Sequence, residues 1–224
     1  MAHRNDNSSW FAVSNGSRQH ALGDVSKVAL FVIDMQEAFV SQDFPLARPG
    51  ALSIFPAIRT LVSDLRQAGA TIVWTRHTWT DAAGLRPPDW FEAMKDETTL
   101  EASRRLRPGL PGHEIYAGFD VQPADIVIDK YRLSAFLPDT SGIHAIQRGK
   151  GVDTIIITGT VTNFCCQSTA RDAFMLDYRV IFVADGTSAA SEEDQASALG
   201  DLRRMGFFDL PKCDEIRREI AVQA

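Results

Sequence analysis

TIIITGTVTNFCCQSTARDAFML, Thr154 to Leu176, passes from one periodicity to another within a few residues. Its opening run, Thr154 to Ile157, is continuously apolar and β-branched, the mark of a strand buried on both faces in a parallel sheet. A loop from Gly159 to Asn163 follows, then a helical pattern from Asn163 to Leu176 that opens on two adjacent cysteines. Four more runs read the same way: Val28 to Ile33 (VALFVI), Thr71 to Trp74 (TIVW), Ile126 to Ile128 (IVI) and Val180 to Val183 (VIFV). Helical patterns lie between or after them. Ala51 to Ala68 carries Ile54, Ile58, Leu61, Val62 and Leu65 on one face, and Ser141 to Arg148 and Ser191 to Met205 complete the set. Alternating strands and helices of this kind predict a three-layer α/β domain with right-handed crossovers.

The chain has 224 residues, 45% apolar and 23% charged, enough for one full core. A single domain over 23–224 is expected, preceded by a flexible polar leader over 1–22 on which Trp10 and Phe11 are candidates to dock. The N-terminus lacks the apolar core of a signal peptide, and no run approaches the ~18 apolar residues that span a bilayer. The expectation is therefore a cytoplasmic protein with no membrane partner. A net charge of −6 leaves no basic stripe for phosphates, so nucleic acid is excluded and a small-molecule partner is expected. Three cysteines, two of them adjacent, form no disulfide framework and imply free thiols. Residues 78–120 depart from the pattern, with Pro87, Pro88, Pro108, Pro111, Trp79, Trp90, Phe91 and a short charged helix near Asp89 to Arg105. So long an excursion is either a lid over a site or an arm for oligomerisation.

Ligands of open parallel sheets sit outside the carboxyl ends of the strands. There the first strand presents Asp34 (VIDMQ), the third Lys130 (VIDKYRLSAF), and the fourth the loop leading to Cys165 and Cys166. Each alone has a plain reading: a helix cap, a solvated charge, a small buried hydrophobe. Together they make a nucleophile with its helpers. A thiol in the first turn of a helix is expected to have its pKa lowered toward neutrality by the unpaired backbone N–H groups. Asp34 would take the thiol proton, Lys130 would hold the carboxylate, and the helix start would aim N–H groups at an oxyanion. Cys166, about 100° further round the helix, points elsewhere and reads as packing. Cys213 reads as an ordinary helix or loop residue.

VIDMQ, DKYRLSAF and GTVTNFC, in that order and spacing from about Ser26 to Arg218, closely resemble the isochorismatase-like cysteine hydrolases. That superfamily includes nicotinamidases, N-carbamoylsarcosine amidohydrolases, ureidoacrylate and biuret hydrolases, and isochorismatases proper. The resemblance implies a doubly wound, Rossmann-like α/β fold with a six-stranded, mostly parallel sheet and a catalytic triad of Asp34, Lys130 and Cys165. It implies a cis peptide between Thr160 and Val161, with the Val161 and Cys165 backbone N–H groups forming the oxyanion hole. It further implies a homo-oligomer, dimer or tetramer, assembled through helices and the excursion.

Nicotinamidases of that family hold a metal through a cluster of the form Asp-Trp-His-Pro-x-x-His. The matching stretch here, TRHTWTDAAG, offers His77 alone, which argues against a metal and against nicotinamide as substrate; no cofactor is expected. Isochorismatases proper resemble the chain in KYRLSAF but lack the cysteine. Keeping Cys165 favours hydrolysis of a C–N bond in a small amide or ureido (carbamoyl) compound through a thioester, with ammonia released. Vinyl-ether hydrolysis, a metabolite-binding module and a Cys165–Cys166 redox pair are the rivals, the second weakened by the lack of any phosphate-binding glycine motif. Expected substrate contacts are Phe39 and Phe136 as walls, Trp79 and Trp90 as roof, and Gln36 and Asn163 as amide donors. Arg132, Arg76 or Arg86 would meet a substrate carboxylate.

Overall fold

The computed structural model describes residues 21–93, 95–138 and 140–223. Five strands form one sheet: β1 (Val28–Ile33), β2 (Thr71–His77), β3 (Ile126–Lys130), β4 (Thr154–Thr160) and β5 (Arg179–Ser188). Their order is β3-β2-β1-β4-β5 and every pairing is parallel. Helices α1 (Glu37–Val40), α2 (Pro49–Gln67), α3 (Asp89–Ala93), α4 (Glu97–Arg104), α5 (Ile143–Gly149), α6 (Gln167–Met175), α7 (Glu192–Met205) and α8 (Cys213–Gln223) complete the chain. The inner runs became strands because both faces are covered: β1 and Thr154 to Thr160 of β4 are buried throughout, whereas the edge strand β3 leaves Val127 40% exposed. One apolar layer joins Leu30, Val32 and Ile156 to Ile58, Leu61 and Leu65 of α2 and Ile216 of α8. The opposite layer joins Phe31, Ile155 and Phe182 to Ile143 of α5, Ala170 of α6 and Leu202 of α7.

The expected six strands are five, and the difference has a local cause. Beyond β5, residues 208–211 lie along the sheet edge: the Phe182 N–H donates to Asp209 O at 2.7 Å and the Ala184 N–H to Pro211 O at 2.9 Å. That contact amounts to one isolated parallel bridge, Ile181 to Asp209. Pro211 has no N–H to extend a ladder, and α8 begins two residues later. The single charged helix expected in the excursion is two, because Asp96 accepts from the Thr99 N–H at 2.9 Å and caps α4 as a separate start. Most of the expected leader lies outside the described residues, as do Trp10 and Phe11. Its last residue, Leu22, belongs to the body, 2% exposed, with its N–H donating to the Glu219 carboxylate at 2.8 Å. Among the described residues no helix is long and apolar enough to cross a membrane.

Strand order reverses between β1 and β4, the two strands that carry Asp34 and lead to Cys165. A crevice opens at such a switch point because the connections on either side leave in opposite directions. Gly159 lets the two strands meet there: it pairs with Ile33, and a Cβ on it would lie 2.0 Å from Ile33 O.

Candidate active site

Behind Asp34 and Cys165, which line the crevice, the Lys130 side chain is 2% exposed and its ammonium is surrounded by acceptors. It lies 2.8 Å from Asp34 Oδ2 and donates to Cys165 Sγ at 3.2 Å and to Arg132 O at 3.1 Å. His77 Nδ1 stands 3.2 Å away and accepts from the ammonium, which leaves the ring proton on Nε2. Burial opposes the charge on Lys130, but Asp34 and Cys165 outweigh it and raise its pKa. Burial, then the ammonium, push the His77 pKa down to about 4, so the ring is neutral.

Asp34 ends β1 in a left-handed backbone conformation, φ 47°. Thr75 of β2 holds it there: the Asp34 N–H donates to Thr75 Oγ1 at 3.1 Å, and that hydroxyl donates to Asp34 Oδ1 at 2.6 Å. Oδ2, in ion-pair contact with Lys130 but outside hydrogen-bond geometry, has no hydrogen-bond donor among the described residues. It is the lone pair left to receive a proton.

Cys165 sits on a different local structure from the one expected. The regular helix does not begin at Asn163. A π-helical turn, Thr162–Cys166, comes first, closed by the Cys166 N–H donating to Val161 O at 3.2 Å, and α6 starts at Gln167. The Thr160–Val161 peptide is cis, and both residues line the crevice beside Cys165. The expected lowering of the thiol pKa is overturned. Burial is the largest influence, Lys130 only partly offsets it, Asp34 adds to it, and the Cys165 pKa is pushed up to about 12. Burial thus favours the protonated sulfur at rest. Cys166 is fully buried and its Sγ faces Thr158 O at 4.0 Å, away from the crevice.

The crevice encloses a cavity of about 290 Å³. Of the substrate contacts expected from sequence, Phe39, Trp79 and Arg132 line it; Gln36, Trp90, Phe136 and Asn163 do not. Gln36 is fully buried and clamps the end of β2, accepting from the His77 N–H at 2.7 Å and donating to His77 O at 3.2 Å and His113 O at 2.9 Å. Phe136 is a core ring between Phe31 and Tyr178, at centroid distances of 5.7 and 6.0 Å. Trp90 is 64% exposed. Asn163 is half-buried, and its Oδ1 has no hydrogen-bond partner among the described residues. Arg76 pairs with Asp129 at 2.8 Å and Arg86 with Asp89 at 2.5 Å, so neither guanidinium is free for a ligand.

Sequence reasoning missed Thr75, Arg48 and Gln195. Gln195 of α7 ties the π turn to the end of β5: its Oε1 accepts from Thr162 Oγ1 at 2.7 Å and from the Ala189 N–H at 2.9 Å. A threonine closing the run TIVWT was the one signal for Thr75; nothing in the spacing marked the other two.

Asp34, His77 and Cys165 place one potential metal-ligand atom each within 4.8 Å of one another. The Lys130 ammonium contacts all three groups, so the place a metal cation would take among them already holds a positive charge. The donor set does not fit a metal there.

Residues 28–208 match the isochorismatase domain family. The chain belongs to it. Among its relatives is a Caulobacter vibrioides protein named ureidoacrylate amidohydrolase RutB, 30% identical over 188 residues, covering 76% of this chain and 80% of that protein. A solved isochorismatase family protein from Desulfovibrio vulgaris is 30% identical with a TM-score of 0.76, over 87% of this chain and 98% of its own. An N-carbamoylsarcosine amidase from Thermoplasma acidophilum is 25% identical with a TM-score of 0.68, over 85% and 98%. The isochorismatase family thus accounts for the sheet, the switch-point crevice and the helices on both sides.

Proposed function

We propose that the chain is a cysteine-dependent amidohydrolase that cleaves the C–N bond of a small amide or ureido compound through a thioester, with Cys165 as nucleophile, Asp34 as base and Lys130 as the cation between them. The observation that carries the reading is the Lys130 ammonium, 2.8 Å from Asp34 Oδ2 and 3.2 Å from Cys165 Sγ, two residues that line one cavity. The names of the relatives, a ureidoacrylate amidohydrolase and an N-carbamoylsarcosine amidase, support the same bond type.

With the sulfur protonated at rest, attack and deprotonation go together: Oδ2 of Asp34 takes the thiol proton as sulfur bonds to the carbonyl carbon. The oxyanion is received by the backbone N–H groups of Val161 and Cys165. Collapse breaks the C–N bond, the Asp34 proton leaves with ammonia, and a thioester remains. Asp34, ionised again, then draws a proton from water, which releases the acid and restores the thiol. Lys130 pairs with the Asp34 carboxylate at rest and offsets charge building on sulfur.

The test is ammonia release over ureido acids, biuret, maleamate and simple carboxamides, wild type against Cys165→Ala. The expected result is release from at least one class, absent in Cys165→Ala, with an acylated protein trapped by mass spectrometry. Equal release by the alanine variant would remove the cysteine mechanism.

A further inference from the structure

The cavity has a charge imbalance that the amidohydrolase chemistry does not use. Its charged side chains are Asp34, Arg48 and Arg132. Asp34 is compensated by Lys130. Arg132 is engaged with carbonyls, donating from Nη1 to Leu85 O and Tyr131 O at 2.7 Å, and so staples the excursion. Arg48 has no ion pair and no side-chain hydrogen bond among the described residues, and its Nε is shut off from solvent without an acceptor. A cation on a largely apolar cavity wall with no counter-ion is costly, and an anion bound in the cavity would offset that cost.

The base of Arg48 is fixed. Its N–H donates to Phe39 O at 2.8 Å, and as the residue before Pro49 it holds the extended conformation, φ −117° and ψ 117°, that precedes a proline. The walls of the cavity that Arg48 lines are mostly apolar, with Phe39, Leu46, Trp79, Leu106, Leu133 and Phe164, interrupted by Thr78, Ser103 and Tyr131. One open guanidinium within apolar walls suits one planar monoanion on a short body. A guanidinium fork pairs bidentately with a carboxylate, whereas a phosphate dianion would leave a second charge among apolar side chains.

We propose that the substrate of this site carries a carboxylate and that Arg48 seats it. The proposal rests on the amidohydrolase reading only for which bond is cleaved, not for where the carboxylate binds.

Calorimetric titration of Cys165→Ala, in which turnover is blocked, with 3-ureidopropionate and with its neutral methyl ester tests it. The acid is expected to bind about 10- to 100-fold more tightly than the ester, the worth of a charge-assisted pair. Adding Arg48→Met should bring that ratio to about one. Arg48→Lys, which keeps the charge but not the fork, should lower it several-fold and serves if the methionine variant fails to fold. Equal affinity for acid and ester, no binding of the acid, or a ratio unmoved by the substitutions overturns the proposal. Ammonia release by wild type is measured beside it: acid binding with no release counts against the amidohydrolase reading and leaves the carboxylate seat standing.

Discussion

Asp34 combines a left-handed backbone, a buried ion pair and an open lone pair, and each part makes a demand on its neighbours. A non-glycine residue in that conformation is held against a cost of roughly 1–2 kcal/mol, here by two hydrogen bonds with Thr75. Asp34→Asn keeps the shape and removes the base, so kcat should fall about 10²- to 10⁴-fold. The same change strands the Lys130 ammonium, and urea unfolding should show a loss on the order of 3 kcal/mol. An active, fully stable Asp34→Asn variant would contradict both roles. His77 adds a pH dependence of definite sign. Its folded pKa of about 4 lies below the ordinary 6.5, so the ring is neutral when folded and binds a proton more readily when unfolded. The contribution is complete above pH 6.5 and disappears as pH falls toward 4, at most about 3 kcal/mol at 1.36 kcal/mol per pH unit. Urea midpoints taken from pH 7 to pH 4 should fall more steeply for wild type than for His77→Asn.

Parallel strands announce themselves in sequence because a run buried on both faces has no polar alternation, and β1 and β4 begin where their apolar runs begin. Turns that depend on distant partners do not. The π turn at Thr162–Cys166 hangs on Gln195, about thirty residues on, and no local pattern in TNFCC separates it from the start of an α-helix. The sixth strand failed for the opposite reason, a proline at the sheet edge that outweighed a family expectation. Gly159 marks where two elements touch, at φ 109°, with Ile33 O only 2.0 Å from the point a Cβ would occupy. Gly159→Ala must push β4 from β1, so the variant should lose activity together with several degrees of Tm, read by thermal unfolding and ammonia release. A fully active alanine variant would mean that the strands part without moving Asp34 from Cys165.

The two larger apolar clusters are separated by the sheet, with Ile58 in one and Leu202 in the other, both fully buried, and a smaller third joins Ala38, Trp79, Leu100 and Leu106. Ile58→Ala and Leu202→Ala should each cost about 2–5 kcal/mol, and the double variant should equal their sum within about 0.5 kcal/mol in urea titrations. A larger departure would show that the sheet transmits strain between its faces. The three residues that converge at the candidate site were legible because each ends a strand or follows one within a few residues, and strand ends share one rim in a parallel sheet. Arg48 was not, since its importance lies in what it fails to touch, and absence of a partner leaves no mark on a linear chain. The lowered pKa expected for the Cys165 thiol failed because the depth at which the fold buries it is a property of the assembled chain. That depth carries a benefit outside turnover. Peroxide attacks thiolates, and a sulfur that stays protonated until a carbonyl arrives is a poor target for sulfenic acid formation, so the resting protein should outlast low-pKa cysteine enzymes under oxidant.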